Sequence, residues 1–223
     1  MKQLLRRYWF HLAAMLVSSA WLIAFPLWSQ WITADPLNLP LPLSTASKVQ
    51  TEIEVRMQET YSLHFLFSRN GIPFEELKSS IGAMGVCHAG EECSKGIPVP
   101  IRWSIKPIGA DKPLLQGEVI SQDSSGWSQA HVYRSIATVR LPPGRYLFTA
   151  RLLRPVPELA RIDAAIAMEL QPKSSSTWQL GLVWWGAVVQ YVVALPVAVY
   201  AAIVLLWRAI ANTTAKFKTP HEQ

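Results

Sequence analysis

Two long stretches without a formal charge bracket the chain, Tyr8 to Ala34 and Ser174 to Trp207, and every acidic or basic residue lies between or just outside them. A bilayer core of about 30 Å takes roughly 20 apolar residues of helix. Tyr8–Trp28 and Leu180–Trp207 both reach that length. Both read as membrane spans, with Trp9, Trp28, Trp31, Trp178, Trp184, Trp185 and Trp207 near headgroup depth, where an amphipathic ring is half wet. Lys2, Arg6 and Arg7 precede the first span, and Arg208, Lys216 and Lys218 follow the second. By the positive-inside rule both termini are cytoplasmic and the middle is outside. A signal peptide competes for the first span, with Ser18-Ser-Ala20 as its cleavage pattern. The apolar run continues past that site to Trp28, which favours an uncleaved anchor.

The chain carries a net charge of +6 and a pI near 9.5. Residues 1–31 hold +3 and residues 208–223 hold +2, leaving +1 for everything between. The basic excess therefore reports topology, and nucleic acid is not an expected partner.

The middle is long enough for one domain with its own core. Residues 32–45 read as a linker, since Asp35-Pro-Leu-Asn-Leu-Pro-Leu-Pro-Leu-Ser44 cannot be helical and should run extended. From residue 46 the periodicity is two: Ile53, Val55 and Met57 alternate with Glu52, Glu54 and Arg56, and Tyr61, Leu63, Phe65 and Phe67 continue the pattern, with Leu66 as an exception. Further strands are predicted over 98–108, 114–121, 129–141, 146–153 and 162–170, separated by turn signals such as Pro142-Pro-Gly-Arg145. Pro73-Phe-Glu-Glu-Leu-Lys-Ser-Ser-Ile81 reads as a short inserted helix, with Glu75 and Glu76 in its first turn. About seven short strands predict a mainly β fold, an immunoglobulin-like β-sandwich over 46–172 flanked by two transmembrane helices. The second helix would cover 173–207 and a short basic tail 208–223. Tyr146, entering a late strand after a turn, fits a tyrosine corner.

Tyr61-Ser-Leu-His-Phe-Leu-Phe67, Gly96-Ile-Pro-Val-Pro-Ile-Arg102 and Leu141-Pro-Pro-Gly-Arg-Tyr146 occur in that order. Over roughly 46–171 the chain resembles a bacterial family of exported β-rich domains classed as a domain of unknown function, family 5625. The resemblance implies a β-rich exported domain. Its members are often lipoproteins, whereas this chain has no cysteine near its N-terminus, so two helical anchors would stand in for the lipid.

Cys87 and Cys93 fall in the exported domain, where an oxidising compartment favours a disulfide. The competing readings are two free thiols or a metal site with His88 and Glu91 or Glu92, a spacing that matches no familiar zinc pattern. No nucleophile elbow, phosphate loop, zincin motif or dinucleotide fingerprint occurs. His64 and His131 lie on predicted strands among polar neighbours and read as surface or inter-strand contacts. The expectation is a protein that is not an enzyme and needs no cofactor or metal. In the second span Gly186, Gln190, Ala194, Ala198 and Ala202 recur every four residues, a ridge that allows close helix packing. Its partner could be the first span, where Ala14 and Ser18 share the spacing, or a helix-mediated oligomer. Pro196 should add a kink.

These features predict an inner-membrane protein of a Gram-negative-type bacterium whose periplasmic domain binds an envelope protein. An immunity protein against an envelope-targeting toxin is the specific candidate. An accessory or scaffold subunit of an envelope complex is the alternative. Residues 123–127 and 82–95 are natural contact loops.

Overall fold

Alternating sequence becomes strand because successive side chains point to opposite faces and one face can then be buried. In the computed structural model, which describes residues 2–82, 95–171 and 177–217, this logic governs the Thr33–Thr177 unit. A second unit comprises Met1–Ile32 and Trp178–Gln223. In chain order the elements are α1 (Lys2–Thr33), β1 (Leu37–Pro40), β2 (Lys48–Val55), β3 (Glu59–Ser68), α2 (Phe74–Ile81), β4 (Val99–Pro107) and β5 (Leu115–Ser121). There follow β6 (Gly126–Trp127), β7 (His131–Leu141), β8 (Gly144–Leu152), a 3₁₀ turn (Pro157–Leu159), β9 (Ala164–Leu170), α3 (Trp178–Val189), a π-helical segment (Gln190–Ala194) and α4 (Leu195–Phe217).

The strands form two antiparallel sheets, a five-stranded one in the order β1-β9-β3-β7-β6 and a four-stranded one in the order β2-β8-β4-β5. One core takes side chains from both: Tyr61, Phe65 and Phe67 of β3 and Ile166 and Met168 of β9 join Ile101 and Ile105 of β4 and Phe148 and Leu152 of β8. Two of the six connections at which the chain changes sheets, β2 to β3 and β7 to β8, are each braced by a tyrosine. The Tyr61 hydroxyl donates to the Met57 carbonyl at 3.1 Å, and the Tyr146 hydroxyl to the Pro142 carbonyl at 2.7 Å. Burial pushes the Tyr61 phenol up to about 12.

The expected linker is a correction. Leu37–Pro40 is a strand paired with β9, Leu37 opposite Met168, and Leu41 and Leu43 lie in the core. The leucines recur at every second residue, which is strand periodicity. The prolines are tolerated because β1 is a sheet edge, where missing donors cost nothing. Buried Glu59 accepts bonds from the Thr177 amide (3.1 Å) and the Thr177 hydroxyl, so Thr177 belongs with the two-sheet unit.

The other unit is a helical hairpin, with two segments long and apolar enough to cross a membrane, Trp9–Thr33 and Trp178–Ala211. Among the residues of α1 whose burial is described, Ser18, Phe25 and Ile32, seven residues apart, are the buried positions. That spacing is the seam of a helix packed along its length on another. The Phe25 ring occupies the space a side chain at Gly186 would need, and the His11 and Tyr200 rings lie 6.3 Å apart. Before Pro196, which has no N–H to donate, the ladder widens and the Leu195 N–H bonds to the Gln190 carbonyl. The ridge of small residues accordingly departs from expectation at its end. Gly186 and Ala194 are buried, but Ala202 is exposed and Ala201 is buried instead. Beyond the π segment ordinary geometry resumes, and a ladder of every fourth residue drifts by about 40° per step.

Candidate functional site

In the four-stranded sheet Val49, Ala150, Ile101 and Val119 face the core, so their chain neighbours must face outward. Register then places Lys48 opposite Arg151, Arg151 opposite Arg102, and Arg102 opposite Glu118. Arg102 donates to one Glu118 carboxylate oxygen from Nε (3.0 Å) and Nη2 (2.7 Å). Glu52 accepts from Arg145 at 2.7 Å, and Glu54 from Arg56 at 3.2 Å. Each carboxylate of this face is thus paired, while Lys48 and Arg151 have no acidic partner among the described residues. Like charges directly opposite in a sheet are destabilising by a few tenths of a kcal/mol to about 1 kcal/mol.

At one end of the row the face turns apolar. Ile120, opposite Pro100, is 63% exposed and Leu153 is 36% exposed. With Pro98, Gln122 and Arg154 they surround a shallow depression of about 470 Å³. The Leu153 N–H bonds to the Pro100 carbonyl, which fixes the two residues side by side. An apolar patch bordered by unpaired cations on rigid strands can hold a partner that offers apolar side chains and carboxylates.

His64 and His131 share the outer face of the other sheet. His64 is buried, its Nε2 is 3.3 Å from Glu169 Oε1, and its ring meets Tyr133 edge-on at 5.2 Å between centroids. Burial, reinforced by Glu169 and opposed by His64, holds the Asp35 carboxyl above the usual range. His131, opposite Ser68, borders a cleft of about 160 Å³ with Asn38, Leu66 and Asp163. The nearby Ser62 hydroxyl accepts from Gln171. Among the described residues no cluster of three or more His, Cys, Asp or Glu is placed to hold a metal.

Cys87 and Cys93, with His88, Glu91 and Glu92, lie outside the described residues. The ends of their loop are described: Gly82 has a positive φ of 94°, and a Cβ there would sit 2.9 Å from the Gly96 nitrogen. Residues 123–127 are partly structural, because buried Ser124 donates to the Gly82 carbonyl at 3.0 Å and Gly126–Trp127 forms β6. Glu76 is exposed on α2.

Sequence reasoning missed Arg134. It is fully buried and donates to the carbonyls of Ile81 (2.6 Å), Ile97 (2.8 Å), Ser80 (3.0 Å) and Ser121 (3.3 Å), with its guanidinium 5.2 Å from the Phe67 ring centroid. Burial lowers it to about 10, against the pull of Asp123. One side chain therefore clamps the end of α2 to β5 and to the start of β4. The signal was available, since Arg134 shares the inward parity of Val132 and Ile136.

No curated protein is significantly similar to the chain. A crystal structure of a protein from Sulfurospirillum deleyianum is 18% identical, covering 61% of this chain and 97% of that one with a TM-score of 0.47. The family described as Domain of unknown function (DUF5625) matches residues 38–170, more than half of the chain and nearly the whole two-sheet unit, and the chain belongs to that family.

Proposed function

We propose that this is a non-catalytic protein-binding module of the bacterial envelope, anchored in the inner membrane by its two apolar helices with the Thr33–Thr177 unit in the periplasm. The observation that carries the reading is the row Lys48–Arg151–Arg102 beside exposed Ile120 and Leu153. Recognition surfaces combine an apolar centre with arginine, and an unpaired cation next to it gains most from a partner carboxylate. We read the two-sheet unit as an immunoglobulin-like sandwich, a scaffold suited to presenting such a face. The Tyr146 bond to Pro142, four residues upstream, supports that reading.

The specific candidate for the partner is an envelope-targeting toxin of a competing bacterium, which would make this chain its immunity protein. Deleting the gene and challenging with toxin-secreting kin tests this. Killing of the deletion strain, rescued by the wild-type chain and not by Arg151→Glu or Ile120→Glu, is the expected result. Unchanged survival of the deletion strain, with no toxin co-purifying from membranes, refutes the immunity role. Full rescue by both variants refutes the binding face.

A further inference from the structure

Both passages between the two-sheet unit and the apolar segments lie at one end of that unit. Three residues separate α1 from Leu37, which starts β1 opposite Met168 near the end of β9. Thr177, the residue before α3, is bonded to Glu59 at the start of β3. The short crossings β2–β3 and β7–β8 bring one end of the four-stranded sheet alongside, since Glu59 lies opposite Leu141, Val55 opposite Gly144 and Pro107 opposite Tyr146. The β4–β5 turn, residues 108–114, therefore projects from the same end. Among the described residues of the unit, the exposed large hydrophobic side chains fall into two groups. Ile120, Trp127 and Leu153 lie toward the far end, whereas Ile108, 48% exposed, and Leu114, 49% exposed, lie on this turn. The turn is held in place: the Ile108 N–H bonds to the Arg145 carbonyl, the Ala110 N–H to the Pro107 carbonyl, and Gly109 takes a positive φ of 85°. Lys106 and Lys112 flank the apolar pair without an acidic partner among the described residues, and Asp111 is the one acid of the turn.

We infer that the β4–β5 turn is a further contact with the membrane: Ile108 and Leu114 enter the headgroup layer of the bilayer that holds the helices, and Lys106 and Lys112 meet lipid phosphates. The occupant is lipid because the chain joins its apolar segments at this end, which brings a bilayer surface to the turn. An apolar side chain gains from entering the boundary between headgroups and acyl chains, and a lysine beside it can lay its stem on that boundary while its ammonium stays among the phosphates. Anionic lipid draws such cations to the surface. The two exposed groups then divide in function. Ile108 and Leu114 seat the unit on the membrane, and Ile120 and Leu153, with Lys48, Arg151 and Arg102 at the far end of their strands, are turned away from it toward a partner.

This inference rests on the reading that the helices span a bilayer, and the test separates the two. The full-length chain is reconstituted into vesicles of phosphatidylethanolamine and phosphatidylglycerol with brominated acyl chains. An environment-sensitive fluorescent amino acid stands at Leu114 or, as the reference, at Ile120. Quenching at Leu114 and none at Ile120 is expected, and Lys112→Gln should lower the bound-to-free ratio of the turn about fivefold, the share of one lysine near an anionic surface. Alkaline extraction of the same vesicles reports anchoring alone. If the chain is released by alkali, the membrane reading fails and the inference falls with it. If it stays with the vesicles but Leu114 is quenched no more than Ile120, anchoring stands and the contact of the turn is overturned. Blue-shifted emission at Leu114 without quenching would put protein rather than lipid against the turn and overturn it equally.

Discussion

Replacing Arg134 by methionine isolates what a buried cation without a bound carboxylate contributes to this fold. The guanidinium donates four bonds to main-chain carbonyls, those of Ser80, Ile81, Ile97 and Ser121. Bonds from a charged donor contribute about 1.5–3 kcal/mol each, so the gross loss is roughly 6–12 kcal/mol. Against it stands the desolvation that lowers the guanidinium from its ordinary range to about 10, worth roughly 3 kcal/mol at 1.36 kcal/mol per unit. Relaxation that rehydrates some of the freed carbonyls recovers part of the remainder. Arg134→Met should therefore destabilise by about 3–5 kcal/mol, the range found when a buried charge network is broken. Arg134→Lys should cost about 2 kcal/mol or more, because an ammonium has three donors on a narrower head and cannot span four carbonyls. Urea unfolding of the full-length chain in detergent, with hydrogen exchange of the Ile97 amide that bonds to the Ser80 carbonyl, measures both the size and the place of the loss. A change under about 1 kcal/mol, or a gain, would show that desolvation outweighs the four bonds and would refute the clamp. The pH dependence has a definite sign as well. From about 10 up to the ordinary guanidinium range the unfolded chain holds more protons at this group than the folded one, so its contribution to stability rises with pH across that window.

Three further outcomes follow from the same geometry. Tyr146→Phe removes the hydroxyl donated to Pro142 and should lower stability by about 1 kcal/mol, read as a shift in the urea midpoint without a change in slope. Asp35→Asn should stabilise at neutral pH. Because the folded carboxyl is held above 3.8, its contribution is present below that value and lost as pH rises through the elevated one, so the advantage of the variant should vanish on acidification in calorimetric scans. Gly186→Val should loosen the helical hairpin by about 1–3 kcal/mol, since its side chain must displace the Phe25 ring, and Phe25→Ala should restore part of the loss in a double-mutant cycle.

What the sequence made legible follows from the range of each signal. The apolar stretches and most strands could be read because hydropathy and period-two alternation are local. The segment 35–44 failed because three prolines were weighed above four leucines at alternate positions, and whether proline is tolerated depends on a strand being an edge, which only the assembled sheet decides. The irregular alternation of β3 and β7 has the same origin, since the register shifts between Leu63 and His64 and a strand alone does not reveal where its partner bulges. The candidate face is the extreme case. Lys48, Arg102 and Arg151 come from three strands far apart in sequence, each an ordinary outward cation in its own segment. Only register aligns them, and only the pairing of Glu52, Glu54 and Glu118 with Arg145, Arg56 and Arg102 leaves two of the cations of that row without a counter-charge. A net charge near zero for the middle of the chain therefore hides a local imbalance, and that imbalance, on the same face as exposed Ile120, is the basis of the binding face proposed above.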